Sequence, residues 1–103
     1  MVVKDELLAA HPGPAADLFT AYAAAKNRYV AALTGGAIAD PGPADRMYLR
    51  VAEITGADPM PYGIAQNRAM IDQLIRYAVD QKILDKPVTA EDIFAAGTHD
   101  LTA

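Results

Sequence analysis

Three polar side chains lie within seven residues of one another in this chain: Tyr62, Asn67 and Arg68. All three carry hydrogen-bond donors, so the chemistry open to them is ligand binding. A structural reading stands beside that one. Asn67 falls in the middle of an apolar helical arc, where an unpaired amide costs ~1–3 kcal/mol. The nearest partners are backbone groups of the proline-rich loop just before it, so Asn67 is expected to tie that loop down. Other residue types offer less. His11 precedes Pro12 at a helix start, where capping accounts for it. His99 and Asp100 are consecutive residues in a tail and do not aim at one point as a dyad or metal site would. Serine and cysteine are absent, which excludes a serine or thiolate nucleophile, disulfides and cysteine metal sites. Gly35-Gly36 lacks the flanking strand and Lys-Ser/Thr of a phosphate loop. The tyrosines at 22, 29, 48, 62 and 77 sit mostly at helical spacing and read as core or core edge. No catalytic residue is assigned, and no metal or other cofactor is expected.

The element that must position the trio is residues 58–68 together with the helix expected from Ile64 to about Gln81. Pro59 and Pro61 fix their own φ and push the preceding residues toward extended conformations. Gly63 gives the freedom to turn into the helix. On a wheel of ~100° per residue, Ile64, Ile71, Leu74, Ile75, Ala78 and Val79 share one side, with Met70 and Tyr77 at its edge. Gln66, Asp72, Gln73, Arg76 and Asp80 lie opposite, and Asp72 with Arg76 is an acid-first i,i+4 pair. An apolar arc of roughly half the cylinder usually packs against more than one neighbour.

These residues carry a resemblance. Asp58, Pro59, Pro61, Tyr62, Gly63, Asn67 and Arg68, then Arg76-Tyr77-Ala78, then residues 88–94 (Val-Thr-Ala-Glu-Asp-Ile-Phe), resemble the C-terminal end of 4,5-dihydroxyphthalate decarboxylase-like proteins. That family is similar in fold to periplasmic solute-binding proteins. Residues 2–12, with Leu18-Phe19 and Ala25-Lys26, are similar to the preceding segment of the family. Gly13-Pro14 and the tail from Gly97 depart from the pattern, away from its most specific element. The resemblance implies that the chain corresponds to about the last third of a two-lobed protein. Such a parent is a carboxy-lyase acting on an aromatic dicarboxylate, or a transporter-type receptor for a small anionic solute. The solute site of such folds lies between lobes, so this chain alone is expected to be inactive. A free-standing helical oligomerisation module is the third reading.

Composition narrows the classes. At 103 residues the chain is a single domain or part of one. Nine basic and thirteen acidic residues are interspersed for a net charge of −4, which argues against nucleic acid as a partner. No apolar stretch reaches the ~18–20 residues of a membrane span, so no membrane insertion is expected. No signal peptide is visible, and a cytoplasmic location is expected unless an upstream segment carries one.

The remaining chain reads as helix. A two-turn helix over residues 4–10 is expected to turn Leu7 and Leu8 inward. A helix from Pro12 or Pro14 to Gly35-Gly36 is expected to bury Leu18, Tyr22, Ala25, Tyr29 and Leu33, with Ala15, Phe19, Lys26 and Val30 beside them. A third, starting at Pro43 or Ala44 and capped by Gly56, presents Met47, Tyr48, Val51 and Ile54. Thr89 reads as the N-cap of a short last helix docked by Ile93 and Phe94 and ended by Gly97. The tail beyond is expected to be loose. The fold class is therefore all-α: a compact domain of four or five helices, with any strand confined to residues 1–3. Cut from a larger lobe, such helices would keep uncovered apolar faces. A homo-oligomer is expected, with Ile71, Ile75 or Val79 losing further exposure in it.

Overall fold

Proline and glycine punctuation sets the helix boundaries. The computed structural model describes residues 2–103. Five helices follow in order: α1 (Asp5–Ala10), α2 (Gly13–Thr34), α3 (Pro43–Thr55), α4 (Ile64–Asp80) and α5 (Ala90–Ile93), then a 3-10 turn at Ala96–Thr98. Among the described residues there is no strand, so the chain is all-α. Val2 and Val3 are irregular, and Met1 lies outside the described residues. Pro14 opens the first turn of α2, where a missing N–H has no partner to lose. Gly36, at φ +73°, closes it with the Ala37 amide donating to the Ala32 carbonyl at 2.8 Å. Thr89 caps α5 in both directions: its hydroxyl accepts from the Asp92 amide at 3.2 Å, and its amide donates to the Asp92 carboxylate at 2.8 Å.

The core is small. Ile64, Ile71, Ile75 and Ala90 form one buried cluster with Val88 against it, where α4 meets α5. Ala23 and Leu33 are buried on α2. A polar clamp joins α2 to α3. The Tyr29 hydroxyl donates to Asp45, whose other oxygen accepts the Gly42 amide at the start of α3. Tyr29 meets the Tyr48 ring edge-on at 6.4 Å. The hydrogen bond to the Asp45 carboxylate pushes the Tyr29 phenol up to about 12, and the same bond holds the Asp45 carboxyl below its ordinary range.

Several faces differ from the sequence expectation. Leu74 stands 66% exposed, and Met70 and Tyr77 are exposed with it, so only the Ile64–Ile71–Ile75 side of the α4 arc is covered. On α2 the covered stripe holds Ala23, Lys26 and Leu33, while Leu18 and Tyr22 face outward. That stripe is displaced by about one position from the expected one, because the proline loop and the C-terminal segment pack on that side. Leu7, Met47, Ile54 and Ile93 are also exposed. Ion pairs form at Lys26–Asp58, Arg50–Glu53 and Arg68–Glu91 rather than between Asp72 and Arg76. The tail is tied down: the Tyr62 amide donates to the Ala103 carbonyl at 2.6 Å, and the Ala103 amide returns to Tyr62 at 3.0 Å.

The outcome is a flattened body of 45 × 35 × 20 Å. Its radius of gyration of 16.3 Å exceeds the ~13 Å of a typical domain of this length. No helix among the described residues is long and apolar enough to cross a membrane.

Candidate functional site

The proline loop, residues 58–63, is held from four sides. Its first anchor is local: the Asp58 carboxylate accepts the Met60 amide at 2.8 Å, the side-chain turn that aspartate favours. Its second is distant in sequence. The other Asp58 oxygen lies 2.5 Å from the Lys26 ammonium of α2. Lys26 is only 5% exposed, and an ammonium so placed needs a charged partner. Its nitrogen also sits 5.4 Å from the centre of the Tyr62 ring, within cation–π range. Phe19 meets that ring edge-on at 6.3 Å. The third anchor is the backbone pairing of Tyr62 with Ala103.

Asn67 is the fourth. Its amide nitrogen donates to the Pro61 and Gly63 carbonyls, each at 2.9 Å. Both amide protons are thereby engaged in holding the loop. Replacing Asn67 with leucine, which offers no such donors, is expected to speed amide exchange at Met60, Tyr62 and Gly63. The α4 core is expected to exchange as before.

Arg68 points elsewhere. It forms a two-pronged pair with Glu91 of α5, one arm at 3.2 Å. The hydrogen bond from Arg68 brings the Glu91 carboxyl down to about 2, and the same bond raises the already high Arg68 value. The three singled-out side chains therefore have separate partners: Tyr62 stacks with Phe19 and Lys26, Asn67 binds the loop, and Arg68 binds Glu91.

Lys26 and Asp58, the charged centre of this arrangement, were not singled out from the sequence. Two signals point to them in retrospect. Lys26 lies on the apolar side of its helix between Phe19 and Val30, and Asp58 directly precedes Pro59. Burial raises the Asp58 pKa, while the Lys26 hydrogen bond, the Met60 amide and the Lys26 charge lower it and together prevail. A carboxyl lowered in the fold stabilises it above the unfolded pKa, and that contribution disappears as pH falls through the folded value. Asp58→Asn is expected to cost about 2 kcal/mol at neutral pH, since it leaves Lys26 beside a neutral group. The gap from wild type is expected to close as pH falls below ~4; paired urea melts across that range measure it.

Beside Tyr62 runs an apolar groove of about 1110 Å³. Leu8, Leu18, Phe19 and Tyr22 line it on the α1–α2 side, Ile93 and Phe94 on the C-terminal side. Among the described residues, Asp5 and Asp92 are its charged lining residues. The cations around the loop, Lys26 and Arg68, are already paired with carboxylates. His11 ends α1, its amide donating to Leu7. His99 lies 2.8 Å from the Phe94 carbonyl. Among the described residues no three His, Cys, Asp or Glu side chains gather as a metal site. The groove's lining is thus mainly aromatic and aliphatic.

No protein-family model, characterised protein or solved structure matches the chain.

Proposed function

We propose that this chain is the C-terminal helical portion of a two-lobed protein resembling the 4,5-dihydroxyphthalate decarboxylases, built on a solute-binding-protein-like fold. In that role it buttresses one lobe, and the acid-binding site lies mainly outside it. The observation that carries the reading is surface. The chain exposes 7471 Å², against ~5,600 Å² for a compact monomer of its mass. Apolar side chains of α2, α3 and α4 contribute to that surface, as expected of helices that pack on a larger body. The pairing of Lys26 and Arg68 with carboxylates supports the same division of labour. Cations for an anionic ligand would come from the rest of the parent.

The test uses the longer reading frame that contains this segment. Carbon dioxide release from 4,5-dihydroxyphthalate by its product is the expected result. Calorimetric binding of the diacid without release would assign the receptor role instead. Neither release nor binding would remove the family reading and leave a helical assembly module.

A further inference from the structure

Among the described residues none after Ala90 is buried; from Ala95 onward Ala95, Thr98, His99, Leu101 and Ala103 are half-buried. The segment is ordered by its own hydrogen bonds. The Thr98 amide donates to the Ala95 carbonyl at 2.8 Å, and the Leu101 amide to the Thr98 carbonyl at 3.2 Å. The 3-10 turn lies against α2, and Ala95 and Thr98 form part of the groove wall beside Tyr62. At the far end the segment is tied by the two backbone bonds between Ala103 and Tyr62, where the Leu101 carbonyl lies against the bare face of Gly63. At the near end Phe94 and Ala95 are extended, with ψ 145° and 132°, between α5 and the 3-10 turn. The His99 ring reaches back to the Phe94 carbonyl at 2.8 Å, a contact beside that junction. α5 itself is fixed by the fully buried Ala90 and by the Glu91 pair with Arg68.

We infer that residues 95–103 are a strap that opens as one unit, hinged at Phe94–Ala95 and latched by the Tyr62–Ala103 pair. Local opening takes least free energy where little apolar surface is buried and order rests on exposed backbone hydrogen bonds. This segment has both features. Its internal bonds make it a unit, because a turn this short does not hold in water by itself. Once the latch breaks, the bonds at Thr98 and Leu101 are lost with those at Tyr62 and Ala103. The proline loop stays in place, since Lys26 and Asn67 hold it independently of Ala103. Opening takes Ala95 and Thr98 out of the groove wall and frees the backbone N–H and C=O of Tyr62. The latch therefore sets how open the groove is at its Tyr62 end. The inference does not rest on the decarboxylase-like reading, which carbon dioxide release tests separately.

Native-state amide exchange of the whole chain tests the strap, under conditions where the rate reports the opening equilibrium. After correction for intrinsic rates, the amides of Tyr62, Thr98, Leu101 and Ala103 are expected to share one opening constant, on the order of 100-fold above that of Ile71 and Ile75 in α4. The Phe94 amide, bonded to Ala90 on the α5 side of the hinge, is expected to stay outside the set. Leu101→Ala trims the largest apolar side chain of the strap. It is expected to raise exchange at the strap and Tyr62 amides by one common factor and to leave Ile71 and Ile75 unchanged. Strap protection equal to that of Ile71 and Ile75 would mean that the segment opens only with the whole fold, and would overturn the inference. Separate constants for the four amides, or a Leu101→Ala effect confined to residues 101–103, would show stepwise fraying and overturn it equally. A Phe94 amide that joined the set would overturn the hinge.

Discussion

Replacing Gly63 with alanine is expected to detach the C-terminal segment and to cost about 3 kcal/mol, combining backbone strain with a lost contact. Two observations set that size. Gly63 has φ +112° and ψ 156°, a region that side-chain-bearing residues essentially do not enter. A Cβ there would also lie 2.4 Å from the Leu101 carbonyl oxygen and 3.1 Å from the Thr102 Cα. Both are backbone atoms, which cannot swing aside as a flexible side chain can. The tail must therefore move, and the paired hydrogen bonds between Tyr62 and Ala103 go with it. Urea melts measure the cost, and amide exchange at Tyr62 and Ala103 shows whether the tail is released. Alanine at Gly97, with nothing within 4 Å of its Cβ position, is the matched control and is expected to be nearly neutral. Equal effects at the two glycines would refute the close-approach argument.

Ile71→Ala is expected to destabilise the fold by ~2–4 kcal/mol through lost burial and the cavity left behind. Ile71 is 8% exposed and belongs to the central cluster with Ile64, Ile75 and Ala90. Leu74→Ala, three residues away on the same apolar arc, is expected to cost under ~1 kcal/mol, because that side chain is 66% exposed and already in water. The comparison is made by denaturant melts at several protein concentrations. If Leu74→Ala were as damaging as Ile71→Ala in dilute solution, the covered side of α4 would be wrongly placed.

The sequence by itself determined the features that depend on neighbours a few residues apart. The all-α class follows from uninterrupted helical periodicity. Helix ends follow from proline and glycine placement, as at Pro14, Gly36 and Gly56. The reciprocal cap at Thr89 and Asp92 spans three residues, and the Asn67 tie to Pro61 and Gly63 spans at most six. In such contacts spacing alone brings the partners together.

Only the tertiary structure decided which part of each apolar arc is covered. Periodicity marks a half-cylinder on α4, but α5 and Val88 cover only its Ile64–Ile71–Ile75 side and leave Leu74 in water. On α2 the covered stripe follows the proline loop, whose charged anchor joins Lys26 to Asp58 across 32 residues. The tail shows the same limit: residues 101–103 have no helical pattern, and their order comes from the backbone of Tyr62 and the bare face of Gly63. A side chain's own type fixes its need for cover or for an opposite charge. Which distant segment meets that need depends on how the chain packs.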